Sequence, residues 1–136
     1  MARFRHPLAF IALVAGCLAG AAAADEASLV VKRTTRAGQE VRIRGFAEFD
    51  ASCNRRDVPR IAVAAEPGRG RVEMRPGDVV IGANWVGVTN CAGTTLPGVN
   101  VFYVPAPGFA GTDRFKLDVG YSSGRTVRAE VEVVVR

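Results

Sequence analysis

Reactive side chains are scarce in this chain. Its 136 residues include one histidine, three cysteines, one tryptophan and two methionines. The histidine, His6, and one cysteine, Cys17, fall in an amino-terminal stretch laid out like an export signal. Arg3, Arg5 and His6 form a basic head, and Pro7 to Ala15 is an apolar run too short to span a bilayer as a stable helix. Ala21 to Ala24 then offers a small-residue cleavage site before Asp25. Cleavage of residues 1–24 from 136 leaves 112 residues, enough for one core and too few for two domains, with no histidine and two cysteines.

Each absence removes a class of chemistry. Without histidine or a free thiol, the usual nucleophile–base pairs and nitrogen–sulfur metal sites lose their participants. No D-x-D run supplies the clustered oxygens calcium needs, so neither a metal nor a cofactor is expected. Acid–base work would fall to Asp50, Asp57, Asp113 and Asp118. A glycan hydrolase would need two of them paired across a cleft, and the spacing favours Asp113 as a turn residue and Asp118 as an outward strand position. The expectation is a protein that is not an enzyme.

Charge is modest and dispersed. Over residues 25–136, two lysines and fourteen arginines face all thirteen acidic residues, 16 against 13, which leaves +3. Lys32-Arg33 and Arg55-Arg56 are the adjacent basic pairs there, and no longer basic run suggests a nucleic-acid arm. A solvated arginine-rich surface accounts for this; a weakly cationic face for anionic lipid head groups or cell-wall polymers is the alternative.

Two cysteines in an exported domain point to a disulfide between Cys53 and Cys91. The export segment also admits a second reading. Val14-Ala15-Gly16-Cys17 is similar to a bacterial lipobox, under which Cys17 is lipidated and residues 18 to about 27 become a tether to a membrane. Ordinary cleavage after Ala24 fits the alanine-rich stretch better and places the domain in the periplasm or outside the cell.

Beyond Asp25 the apolar residues recur with period two, not 3.6. Val41, Ile43, Gly45, Ala47 and Phe49 alternate with Arg42, Arg44, Phe46 and Glu48. Phe115, Leu117, Val119 and Tyr121 alternate with Arg114, Lys116, Asp118 and Gly120, and Val127, Ala129, Val131 and Val133 alternate with Arg128, Glu130 and Glu132; Ser122-Ser123-Gly124-Arg125 reads as the hairpin between them. Further strands are expected at Leu29–Arg33, Arg60–Ala64, Arg71–Met74, Val79–Ile81 and Val99–Val104. Turns are expected at Ala37-Gly38, Pro67-Gly68, Pro76-Gly77-Asp78, Pro97-Gly98 and Pro107-Gly108. No window after Asp25 carries an amphipathic helix. About eight short strands with a central cross-link predict an all-β, two-sheet sandwich over residues 25–136.

The segment Tyr103-Val104-Pro105-Ala106-Pro107-Gly108-Phe109-Ala110-Gly111-Thr112-Asp113-Arg114-Phe115 resembles the Y-x-P-x-x-G-F-x-G-x-D-x-F signature of bacterial cadherin-like and immunoglobulin-like domains. Pro67-Gly68-Arg69-Gly70-Arg71-Val72 is similar to the P-x-H-G-x-V turn that precedes it in that family, with Arg69 in place of histidine. The similarity covers about residues 58 to 136. It implies an immunoglobulin-like sandwich of about seven or eight strands, acting in the cell envelope as an adhesive or structural module. In physical terms, Gly108 and Gly111 permit a tight path, Phe109 and Phe115 anchor the loop in the core, and Asp113 bonds backbone amides in the turn.

The chain departs from that family in being a single short unit, and in the Cys53–Cys91 pair and the inserted loop around Gly82-Ala83-Asn84-Trp85. Trp85, six residues before Cys91, either packs over the disulfide or, exposed, stacks on a sugar ring or anchors a protein contact. Were the disulfide to bring the loops together, Arg55, Arg56 and Trp85 would form a basic–aromatic patch. The predicted role is therefore an exported, non-catalytic binding or structural module whose partner is an envelope protein or glycan. The alternatives are a small carboxylate-dependent glycan hydrolase and an inhibitor or accessory subunit of an envelope protein.

Overall fold

The computed structural model describes Gly20 and residues 26–82 and 91–136; the rest of the export segment, Cys17 included, and Trp85 lie outside these. The described residues are all-β. Seven strands run in the order β1 (Glu26–Thr35), β2 (Val41–Phe46), β3 (Arg60–Ala65), β4 (Gly70–Val80), β5 (Thr95–Pro105), β6 (Gly111–Gly120) and β7 (Thr126–Val135). They form a four-stranded sheet, β1-β7-β6-β3, and a three-stranded sheet, β2-β5-β4. β1 runs parallel to β7, and every other pairing is antiparallel.

The alternating patterns of β6 and β7 are the clearest cause of this arrangement. Phe115, Leu117 and Val119, with Val127, Ala129, Val131 and Val133, are buried on one face and meet Ile43, Phe46, Val101 and Tyr103 from the other sheet. On the outer face the register sets opposite charges directly across from each other: Arg114 against Glu132, Lys116 against Glu130, and Asp118 against Arg128. Both faces thus specify the same register, because a one-residue slip would turn every side chain to the wrong side. Tyr121 and Arg125 close the hairpin, with Gly124 at φ 86°.

Two of the expected turns are strand interior. Pro76-Gly77-Asp78 and Pro97-Gly98 pair with each other across β4 and β5, so Arg71–Met74 and Val79-Val80 belong to one continuous strand with Ile81 just beyond its end, and the strands among the described residues number seven. Both prolines occupy positions with a neighbour on one side only. Pro76 is on edge strand β4, and Pro97 lies beyond Val99, the last β5 residue that β2 pairs. A residue without an N–H is tolerated there. Phe46 is the other correction. It faces the core, not solvent, because the β2–β5 register shifts between Arg42 and Arg44 and reverses the alternation after the bulge.

Gly98 shows how closely the elements approach. A Cβ there would collide with the Phe46 carbonyl oxygen and lie 2.8 Å from Val79 Cγ2. At Gly77 it would meet only Asn100 Nδ2, at 3.6 Å. Gly98→Ala should therefore cost about 1–3 kcal/mol and Gly77→Ala well under that, read as the shift of the urea midpoint. Equal midpoints for the two variants would refute the close-packing account.

Candidate functional site

The strand directions gather three connections at one end of the sandwich: β2–β3 (47–59), β4–β5 (81–94) and β6–β7 (121–125). Two long-range ties hold them together. The Cys53–Cys91 disulfide joins the first two, with 5.5 Å between Cα atoms, and Cys91 is fully buried in a small cluster with Ala47, Val79, Ile81 and Leu96. The second tie is Glu48. Its carboxylate is buried and accepts the N–H groups of Ser122 at 2.7 Å and Ser123 at 3.2 Å. Burial would raise the Glu48 pKa, but these bonds outweigh it and hold the carboxyl below its usual value.

The loop carrying Cys53 is shaped locally by Asp50. Its carboxylate accepts the backbone N–H groups of Asn54 at 3.0 Å and Ser52 at 2.9 Å, which lowers its pKa. These bonds support Cys53 at φ 64°, a left-handed conformation uncommon for a residue other than glycine. Arg55 and Arg56 come directly after and are exposed. The disulfide places Cys53, two residues before Arg55, beside Cys91 at the base of the β4–β5 connection. Of that connection, residues 83–90, Trp85 included, lie outside the described residues.

The opposite end carries the motif. Asp113, 5% exposed, accepts the N–H groups of Gly68 (2.9 Å), Arg69 (2.8 Å) and Arg114 (2.9 Å) and the Tyr103 hydroxyl (2.8 Å). The amides it gathers come chiefly from the Pro67–Arg69 turn rather than from its own loop. Burial favours the neutral acid, yet four donors prevail and lower its pKa, while burial and the adjacent carboxylate raise that of Tyr103. Tyr103 stacks on Phe115, ring centroids 6.0 Å apart. Phe109 is partly buried against the core beneath the Arg69 guanidinium, 5.2 Å from the ring centre, and Pro105 ends β5 buried. Gly108 and Gly111 take φ of 74° and 139°, which favour glycine.

The four aspartates considered for acid–base work are dispersed. Asp113 clamps one end, Asp50 shapes a loop at the other, Asp118 pairs bidentately with Arg128 at 2.7 and 2.8 Å, and Asp57 is exposed beside Arg56. Among the described residues no group of three or more His, Cys, Asp or Glu could hold a metal, and no helix is long and apolar enough to cross a membrane.

Glu48 and Arg44 are the residues that sequence reasoning missed. Both alternate with apolar neighbours and read as solvated, but the bulge in β2 turns this stretch so that each is at least half-buried. No model of a known protein family matches the chain, and no curated protein matches it.

Proposed function

We propose that this protein is an exported immunoglobulin-like domain of the bacterial cell envelope and that it acts as a non-catalytic binding module through its tied loop end. The fold supports the immunoglobulin-like reading. The β1-β7-β6-β3 sheet opposed to the β2-β5-β4 sheet keeps the partition of the last, sixth and third strands against the second, fifth and fourth that such sandwiches use, with the first strand placed beside the last. The clamp built by Tyr103, Asp113 and the Gly68–Arg69 amides gives the motif residues a structural task. The apolar run ahead of Ala24 supports export.

One observation carries the binding role: three connections at one end are cross-tied by a disulfide and a buried carboxylate. The β2–β3 and β6–β7 connections, tied in this way, lose little conformational entropy on meeting a partner, so binding energy is not spent on ordering them. The saturated state of Asp113 and Glu48 fits a scaffold better than a reaction centre, where one carboxyl must be free to move a proton.

The test is affinity capture from envelope extract with the domain starting at Asp25, compared with Arg55→Ala/Arg56→Ala, Trp85→Ala and, at the far end, Arg36→Ala. The expected result is a partner retained by Arg36→Ala and depleted at least about tenfold by a loop variant, a loss of the size that truncating one central anchor causes. Identical recovery with every variant would reject the loop end as the binding surface.

A further inference from the structure

β4 is an end strand of the β2-β5-β4 sheet, and its register against β5 runs unbroken from Gly70 with Pro105 to Val80 with Thr95. Just beyond the two ends of that ladder, the Ala106 N–H donates to the Arg69 carbonyl at 2.8 Å and the Ile81 N–H to the Thr94 carbonyl at 2.9 Å. Bonded and non-bonded pairs alternate along an antiparallel ladder. The odd-numbered residues of β4 therefore bond β5, and the N–H and C=O groups of Gly70, Val72 and Met74 point outward. No hydrogen bond among the described residues reaches those groups. Pro76, next in the outward series, has no N–H to offer. We propose that residues 70–74 of β4 pair antiparallel with the same edge of a second copy of this chain, centred on Val72.

The other edges are less open. The Arg33 guanidinium bonds the carbonyl oxygens of Lys32 on β1 and of Arg42 and Ile43 on β2, and so occupies that flank. β3 is short, and its ladder is broken between Val63 and Ala65.

The charges on β4 select both the occupant and the register. Arg71, Glu73 and Arg75 follow one another on the outer face, joined by ion pairs. Turned antiparallel about Val72, the strand sets Arg71 opposite Glu73 of the second copy, and Glu73 opposite its Arg71. Centring on Arg71 or on Glu73 would set like charges opposite each other, which is destabilising. Centring on Met74 would bring Pro76 into the ladder, where a residue without an N–H is excluded. Only the Val72 register meets both demands. It brings Arg75 opposite Arg69, but Arg75 is matched by Glu40 and Glu73 and lies 4.2 Å from the Phe102 ring centre. A second copy carries the complementary order by symmetry, whereas an unrelated peptide has no cause to carry it.

Gly70 with Met74, twice, and Val72 with Val72 exchange about six hydrogen bonds in this arrangement. Val72 and Met74, packed on the core yet partly exposed, gain cover. The merged sheet then ends on the two β2 strands, whose edges Arg33 occupies, so the assembly closes as a dimer and does not grow. Because the paired strands are antiparallel, the loop ends of the two copies point in opposite directions.

Sedimentation equilibrium of the domain starting at Asp25, up to about 1 mM, tests the pairing together with amide exchange read by NMR. The mass should rise with concentration toward twice the monomer's. Where about nine-tenths of the chains are paired, exchange at Gly70, Val72 and Met74 should slow about tenfold, with Asp78 and Val80, outward but beyond Pro76, unchanged. Val72→Pro removes the central outward N–H and no bond to β5, and should abolish association. Should that variant fail to fold, Arg71→Glu sets like charges opposite each other; it should weaken association about tenfold, and Arg71→Glu/Glu73→Arg should restore it to within about threefold. Lys116→Ala, on the outer face of the other sheet, should associate as the parent does. A monomer at every concentration, association that leaves exchange at residues 70–74 unchanged, or association undiminished in both Val72→Pro and Arg71→Glu would overturn the proposal. Slowing at residues 70–74 that appears only when envelope extract is added to a monomeric protein would assign the edge to a different chain and overturn it equally.

Discussion

Asp113→Ala should destabilise the domain by about 4 kcal/mol or more. The substitution leaves three amide donors and the Tyr103 hydroxyl without their shared acceptor, and each buried unsatisfied group costs about 1–3 kcal/mol. A small domain has only about 5–15 kcal/mol in total, so the variant sits near the edge of folding at 37 °C. Urea unfolding read by tryptophan fluorescence and circular dichroism measures the loss; a midpoint within error of the parent would show that the clamp contributes nothing.

The same carboxylate sets an acid limit. Its folded-state pKa lies below its usual value of 3.8, so its contribution is complete above that value and is lost as pH falls through the lower, folded one. Glu48 behaves alike from its own usual value of 4.5. Stability should therefore fall as pH drops below about 4. Asp113→Asn, less damaging than alanine at neutral pH, should show a shallower decline over that range.

Loss of the disulfide is the second large effect. Cys53 and Cys91 are 38 positions apart, and closing a loop of that size restricts the unfolded chain by about 4 kcal/mol in the entropic account, an upper figure. Cys53→Ala/Cys91→Ala should lower the melting temperature by about 10–15 °C. The damage should also be local. Cys91, Val79, Ile81 and Leu96 belong to a cluster separate from the main core, so amide exchange should accelerate first around Ala47–Asn54 and Ile81–Gly82 while β6 and β7 stay protected. Uniform acceleration across all strands would contradict that division.

The two cases show which parts of the structure local sequence pattern can encode. β6, β7 and their hairpin were readable because burial on one face and cross-strand charge on the other demand the same register, with Gly124 marking the turn. The cysteine pairing was readable from an even count together with the expectation of export. Pro76 and Pro97 misled because a Pro-Gly pair states a turn preference, while tolerance in a strand depends on whether a second neighbour is present, which only the assembled sheet decides. Glu48 was invisible for a related reason. Its donors lie 74 and 75 positions away, and nothing beside it in sequence announces them. Asp113 was half readable: its role as an acceptor of turn amides could be inferred, but the turn it holds is 44 and 45 positions upstream.

The parallel pairing of β1 with β7 has a mechanical consequence. β1 enters beside Thr126, at the loop end, and β7 finishes at Val135, at the motif end. A pull applied through the chain on either side of the domain therefore drags these two neighbours past each other lengthwise. The bonds along all ten residue pairs from Glu26–Thr126 to Thr35–Val135 then carry the load together, whereas a hairpin pulled at its open end surrenders its bonds one at a time. A chain held upstream of β1 and gripped downstream of β7 meets tension along its strongest direction. An attachment made upstream of β1 would lie on the side that bears Cys53, Arg55 and Arg56.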